Sequence, residues 1–448
     1  MGDHSYQQSR MNPRPGSGTL FRGSLTLLTL TLAVATASQA AGFYFEAVGT
    51  PLSVGTGGAA NVTNNHGPDA AWANPAGLTG TTAPTILAGL TIAAPVAKWD
   101  ADVSEAGGLS GGNTGQPAAA PGLYYAQPLT DRWSVGFGVS ALQGGGADYG
   151  RNFVGRYGTT EVAIQGLGAT WSFGYKATDK LSLGFGASVI QTQFNQKIAI
   201  NQAAIVGPGT PDGEVEFRDL DDLGVQPIVG LQYQLNEKLL LGLNYRAKFD
   251  TELDGNLRLR NLDPSIPLPA NSNLEIDWEN PQWLEAGLAW KVTGTKYLWL
   301  KGNWQEWSEF SENQLTISLP GPAAPPQVAK LDRKFDDTWS VGLAFGTRER
   351  DIEVNSKKAN SGWLFGLGYE SSPVSDGDRT IDLPFDENWK ISTAYFNQGN
   401  KKLSWSVAGQ VQIFGDSAVD QTAQGARFSG DFKDFYVVYL TGTLRFLN

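Results

Sequence analysis

The stretch WSVGFGVSA, residues Trp133 to Ala141, alternates without a slip. Trp133, Val135, Phe137 and Val139 share one face of an extended strand, and Ser134, Gly136, Gly138 and Ser140 share the other. Successive side chains of a strand point to opposite faces, so one face meets an apolar medium and the other something polar or crowded. LSLGFGASV repeats the pattern, with Leu181, Leu183, Phe185, Ala187 and Val189 set against Ser182, Gly184, Gly186 and Ser188. WSVGLAFG (Trp339 to Gly346) and LSWSVAGQVQI (Leu403 to Ile413) do the same.

The connections between these runs narrow the fold further. LTDR (129–132), TDK (178–180), NEK (236–238), TGT (293–295) and NQGNKK (397–402) are short. Between them lie the long segments 94–121, 143–161, 195–221, 255–275, 307–336, 371–387 and 415–433, with 348–360 the one short-side connection of intermediate length. A soluble sandwich has no reason to lengthen every second turn, whereas an outer-membrane barrel keeps tight turns in the periplasm and long loops outside. The spacing predicts about fourteen strands, an even number as bacterial barrels require. Trp133, Trp171, Trp283, Trp339, Trp363 and Trp389 lie near strand ends, as interfacial girdles do. A soluble propeller would need a blade repeat of fixed length, and none is present.

Composition excludes several functions. The chain has no cysteine and two histidines, His4 and His66, which removes disulfide frameworks, thiolate metal sites and cysteine nucleophiles. A formal charge of −11 and no basic stripe exclude nucleic acid as a partner. Arg14 and Arg22 precede the apolar run Leu25 to Val34, and small residues follow as far as Ala40. This reads as a signal peptide over residues 1–40, with 1–10 a candidate upstream extension before Met11 and cleavage expected before Ala41. The run is shorter than the twenty or so residues that span a bilayer.

Several motifs together resemble the long-chain fatty-acid transporters of Gram-negative outer membranes, a family that includes aromatic-hydrocarbon channels. They are AGF (Ala41 to Phe43), NPAGL (Asn74 to Leu78), VGLQYQLNEKLLLGLNYRAKFDTELDG (Val229 to Gly255), WQEWSEF (Trp304 to Phe310) and GLGYESSPVSDGDRTIDLP (Gly366 to Pro384). They occur in the family's order across nearly all of residues 41–448. One departure is the C-terminus, where Leu447 and Asn448 follow the aromatic Phe446. The resemblance implies a fourteen-stranded transmembrane antiparallel β-barrel over residues 85–448 with residues 41–84 folded inside as a hatch. It also implies capture of hydrophobic substrate near the outer loops, a lumen pocket, and sideways release beside a kinked strand.

Residue chemistry agrees with such a division. Residues 41–84 lack alternation and carry little charge, so they build no core alone but suit the interior of a barrel. Within AAWANPAGL (Ala70 to Leu78), Asp69 is expected to cap a short helix that Pro75 breaks, making Asn74, Pro75 and Ala76 the hinge or latch. In LLLGLNYRAKFD the alternation sends Leu239, Leu241, Leu243, Tyr245 and Phe249 to lipid, and Asn244, Arg246, Lys248 and Asp250 to the lumen. In YLWLKGNWQ, Lys301 and Asn303 face inward. Arg246, Lys248 and Lys301 are therefore candidate contacts for a substrate carboxylate. The plainer alternative pairs them with lumen acids such as Asp250 and Glu285, or uses them to pin the hatch. By family resemblance Phe43, from the aromatic cluster Phe43, Tyr44 and Phe45, is the candidate end of an apolar pocket. Gly144, Gly145 and Gly146, in QGGGADYG, suit either a wall kink or a flexible outer loop.

Other motifs carry less. GTGGAA (Gly55 to Ala60) has no strand before it and no βαβ unit after it, so it is not a dinucleotide site. GLSGG (Gly108 to Gly112), around Ser110, lacks a strand-to-helix elbow. DLDD (Asp219 to Asp222) reads as a solvated loop. The expectation is a monomeric outer-membrane channel, set in lipid and lipopolysaccharide, that admits fatty acids or small aromatics passively without cofactor or metal. The competing readings are a barrel lipid hydrolase using His66 and Ser110, and a surface receptor or adhesin.

Overall fold

The computed structural model describes residues 49–320, 325–349, 361–398 and 402–447. The expected signal peptide, the start of the expected hatch and Phe43 lie outside them. The chain forms a closed antiparallel barrel of 14 strands. The first six are Thr85–Ser104, Ala118–Pro128, Trp133–Asp148, Glu161–Lys176, Leu181–Ile200 and Gly213–Asn236. Each of the next four breaks into two segments: Leu239–Arg246 with Phe249–Arg260, Asn271–Asn280 with Trp283–Thr293, Lys296–Gln305 with Glu312–Ser318, and Gln327–Asp332 with Thr338–Thr347. The last four are Ser361–Glu370, Asn388–Asn397, Leu403–Phe414 and Ala426–Leu447. Pairing of Ile86 with Phe446 and of Thr91 with Thr441 joins the first strand to the last. Closure removes the unpaired edges that lipid would not tolerate.

Local sequence explains the tight turns. In the turn between the second and third strands, the Thr130 hydroxyl accepts from the amide of Trp133 at 3.0 Å. The turn between the fourth and fifth repeats this, with the Thr178 hydroxyl accepting from the amide of Leu181 at 3.0 Å. A threonine three residues before the first residue of a strand thus stands in for a backbone turn bond, which is why LTDR and ATDK need no glycine.

The alternation holds through the membrane. Two aromatic rows mark its faces on the outer surface. Trp363, Tyr395 and Trp405 lie within 4.9 and 5.6 Å of their neighbours near the periplasmic ends. Trp339, Tyr369 and Trp389 form the outer row, at 5.3 and 5.0 Å. Leu367 points outward between them at 45 % exposure. Leu367→Arg should therefore cost about 2–4 kcal/mol in reversible unfolding from lipid vesicles, since a cation there has no water. Wild-type stability in that variant would put this face in solvent.

The structure corrects three expectations. The segment 195–221 is in large part strand, the strand Trp133–Asp148 runs on into 143–161, and DLDD lies inside Gly213–Asn236. Above the membrane both faces can be polar, so pairing continues after the apolar signal has ended. Trp283 is buried in the lumen and belongs to no girdle. The alternation through LLLGLNYRAKFD also changes phase: the ladder lapses at Ala247 and Lys248, where the Ala247 amide turns to the carbonyl of Pro227 at 3.0 Å. After that break Phe249 points inward, while Lys248 and Asp250 point outward.

Residues 49–84 follow the inner wall. Gly49 lies against Gly89 and Gly122, Thr56 against Gly366, and Ala59 against Gly342. Val62 rests on Gly242 and Gly287, Ala76 on Gly184, and Leu78 on Gly136 and Gly174. The segment therefore runs round the lumen from the first strands, back past the twelfth, eleventh, tenth and eighth, and down to the third. Four short helical turns, Pro51–Gly55, Asn61–Thr63, Ala70–Ala73 and Pro75–Gly80, bend it round this path. At Gly184 a side chain is impossible without moving the segment, because a Cβ would fall on the amide of Ala76.

Candidate functional site

The outer half of the lumen is filled by a buried apolar cluster that includes Trp99, Phe153, Phe194, Trp278, Phe310, Phe335, Phe385 and Phe428. Two loops fold over it. The hydroxyl of Tyr149 donates to the carbonyl of Ile381 at 2.9 Å. Arg379 ties the second loop together through Asp386 at 2.8 Å and the carbonyl of Phe385 at 2.8 Å. Arg333 reaches the same loop at Asp382, 2.9 Å away. Sequence reading found none of these knots, because each joins residues whose spacing has no local meaning.

Beneath that cluster is a second apolar group: Trp72, Ala73, Leu87, Tyr124, Leu142, Ile190, Phe249 and Trp283. It lies behind a break in the wall. The ladder between the second and third strands ends at Gly122 paired with Ser140. Beyond that point the third strand carries an extra residue between Ala141 and Gln143, while its pairing with the fourth continues to Asp148. This bulge puts Leu142 and Gln143 both inward and draws Gly144, Gly145 and Gly146 into the buried interior. The amide of Asp148 bonds the carbonyl of Thr114 at 3.1 Å, so the two edges meet again above the gap. The glycines are thus part of a kinked strand, not of a flexible loop.

The inward cations are engaged by the protein. Arg246 donates to the carbonyl of Trp72. Its guanidinium stacks on the Trp72 ring at 4.4 Å and faces Trp283 at 5.4 Å. Lys301 pairs with Glu285 at 3.3 Å, and Asn244 donates to the same carboxylate at 3.0 Å. These are the plainer roles foreseen for them, pinning the inner segment and balancing a lumen acid. Lys248 does not reach the lumen: after the phase change it lies outside and pairs with Glu309 at 2.6 Å.

Asn74, Pro75 and Ala76 form the tightest seat of the inner segment. The residue before a proline avoids the helical region, so the Ala70–Ala73 turn ends at Asn74 with φ −160° and ψ 107°. Its carboxamide oxygen then accepts from the Ala76 amide at 3.1 Å, and Pro75 starts the next turn. The carboxamide NH2 donates to the carbonyls of Val62 at 2.7 Å and Leu243 at 3.2 Å. One side chain therefore fastens two turns of the segment to the wall. Asp69 does not cap its helix as expected. Its buried carboxyl instead meets Asn64 and Thr50, and burial raises its pKa against the downward pull of those bonds and of Arg445.

At the periplasmic end a polar cavity of about 590 Å³ opens below this segment. Thr79 to Thr82 border it, together with Asp131, Arg132, Asp179 and Lys180 of the two threonine turns.

Comparison with known proteins places this geometry. The profile of the outer membrane protein transport family (OMPP1/FadL/TodX) matches residues 31–443. The long-chain fatty acid transport protein of Escherichia coli O6:H1 is 23% identical over 388 residues, 79% of this chain and 82% of that one. Outer membrane protein P1 of Haemophilus influenzae is 22% identical over 348 residues, 70% and 72% of the two chains. The crystal structure of a Pseudomonas aeruginosa FadL homologue superposes with a TM-score of 0.80 at 17% identity, covering 91% of this chain and 99% of that one. The Ralstonia pickettii toluene transporter TbuX superposes at 0.66 with 19% identity, covering 89% and 97%.

Proposed function

The chain belongs to the OMPP1/FadL/TodX family of outer-membrane transport proteins, and on that footing we propose that it admits long-chain fatty acids or small aromatic hydrocarbons by passive diffusion. The carrying observation is the break between the second and third strands with an apolar lining directly behind it. A hydrophobic molecule caught under the outer loops moves down the aromatic cluster to Leu142, Ile190 and Phe249. It then leaves sideways past the kink at Gly144, Gly145 and Gly146. Residues 49–84 act as the hatch that closes the lumen below, with Asn74, Pro75 and Ala76 as its latch and Arg246 as a clamp. The polar cavity at the periplasmic end supports this direction, because a greasy molecule has little to gain from entering it.

The energetics favour a short, partial pocket. Each buried methylene gains about 0.8 kcal/mol, so full enclosure of a long chain would hold it too tightly for rapid release. A lining that ends at an opening to lipid lets the molecule exchange one apolar surface for another.

Excising Leu142 tests the proposal. Ala141 would then be followed directly by Gln143, which restores the alternation and removes the bulge. We expect whichever of labelled oleate and toluene the intact protein admits to enter barrel-deficient cells making the variant no faster than cells without the protein. The barrel should still run faster unheated than heated on a denaturing gel. Full uptake by the straightened variant would reject lateral release.

A further inference from the structure

We infer that the substrate of this channel is uncharged: a hydrocarbon or other hydrophobic molecule without an ionised head group. The inference rests on the transport reading above and narrows it. Among the described residues, five cationic side chains are buried in the barrel: Arg246, Lys301, Arg333, Arg379 and Lys390. Lys301 is held by Glu285, Lys390 by Glu370 at 2.9 Å, Arg333 by Asp382 and Arg379 by Asp386. Arg246 is covered by two indole faces and bonded to the Trp72 carbonyl, and only 1 % of it is exposed. A substrate carboxylate could take one of the four paired cations only by leaving its acid alone, buried at Glu285 and Asp386 and largely buried at Asp382 and Glu370, and it could reach Arg246 only by moving the hatch. Either course is costly where water is excluded.

The polar groups bordering the apolar lining bond to each other. Gln143 donates to Asn280 at 2.9 Å and accepts from Thr192 at 3.0 Å. What faces the pathway is ring and alkyl surface, including Phe194 against Trp278 at 5.3 Å. Such surface rewards dispersion and aromatic contact.

The outer wall points the same way from a separate observation. On the seventh and eighth strands Asp250 stands opposite Glu279, Glu252 opposite Asp277 and Asp254 opposite Glu275. Asp221 of the sixth strand stands opposite Asp254. Cross-strand carboxylates repel one another, and together they make a negative field at the cell surface that turns anions away and leaves neutral molecules unaffected.

The experiment compares oleyl alcohol, oleate and toluene as labelled substrates for barrel-deficient cells making the full-length protein, at about pH 8, where oleate is ionised. The alcohol and the acid have the same chain, so only the head group differs. We expect the alcohol and toluene to enter at least tenfold faster than in cells without the protein, a difference of about 1.4 kcal/mol in the transfer barrier. Oleate should enter no faster than in those cells. Oleate uptake equal to that of the alcohol, or above it, overturns the inference and leaves the transport reading standing. Uptake of none of the three above control overturns the transport reading itself.

Discussion

Deleting residues 49–80 should turn the barrel into a conducting pore, with single-channel conductance in planar bilayers at least about tenfold above the intact protein. Barrels of 16–18 strands leave an aqueous channel and those of eight are filled by their own side chains. A barrel of 14 strands lies nearer the open limit, so something other than the wall must close it. In the periplasmic half that is the inner segment, seated against glycines on most strands of the wall. Removing it leaves those glycines facing one another across empty space. The roof above is side-chain packing between loops, the kind of structure that opens most readily, so it should not hold back ions alone. A milder variant checks the same point. Gly184→Leu forces its side chain into the Ala76 amide and should lift the latch without shortening the chain. Retained heat-modifiable mobility would show that both variants assemble. A closed, silent barrel in the deletion would move the seal to the apolar cluster under the loops.

The wall was legible in the sequence because lipid enforces it. A residue that faces the bilayer has one acceptable chemistry, so the period of two in WSVGFGVSA and its repeats is a direct record of the medium outside. Where the medium changes, the record stops. Above the membrane the strands continue through DLDD and NQKIAI with no apolar period to mark them. The phase change at Ala247 and Lys248 was invisible for a related reason. It is a backbone event fixed by Pro227 on the neighbouring strand, and no residue within the segment announces it. It moved Lys248 from the lumen to the surface and brought Phe249 in.

The site was less legible than the wall because it is made by juxtaposition. Arg246 and Lys301 could be assigned to the lumen by counting, but their partners could not. Arg246 stands opposite Trp283 in the ladder, and Trp72 arrives from a segment about 170 residues away in sequence. The glycines at 144–146 raised the choice between kink and loop. The residue that makes the kink is Leu142, which looks like an ordinary member of the alternation until the pairing with the fourth strand shows it to be one too many. Asn74 is the opposite case, since NPAGL marks in the sequence the residue whose side chain ties the inner segment to the wall. An asparagine before a proline has an extended backbone and a free carboxamide, and both are what the seat uses.

Arg246→Ala should release the hatch more than any other single truncation in the lumen. The guanidinium contributes a charge-assisted hydrogen bond to the Trp72 carbonyl, about 1.5–3 kcal/mol, and stacking on two indoles, about 1–2 kcal/mol where water is excluded. Both involve a hatch residue directly, so their loss acts on the equilibrium between seated and unseated hatch and much less on the barrel. A net loss of about 3 kcal/mol corresponds to a rise of roughly a hundredfold in the unseated population. Amide hydrogen exchange across Ala70–Leu78 reads this population when opening is fast and reversible, and it should accelerate by that factor while strand amides stay protected. Arg246→Lys keeps the charge but loses the flat surface that lies between Trp72 and Trp283, so it should recover less than half of the protection. The pairing of Lys301 with Glu285 supplies the contrast. Lys301→Met removes a buried cation of similar depth whose ion pair is with Glu285 of the wall, and should accelerate exchange across Ala70–Leu78 far less than Arg246→Ala does. Equal acceleration in both variants would mean that general loosening of the lumen, and not the clamp at Trp72, holds the hatch in place.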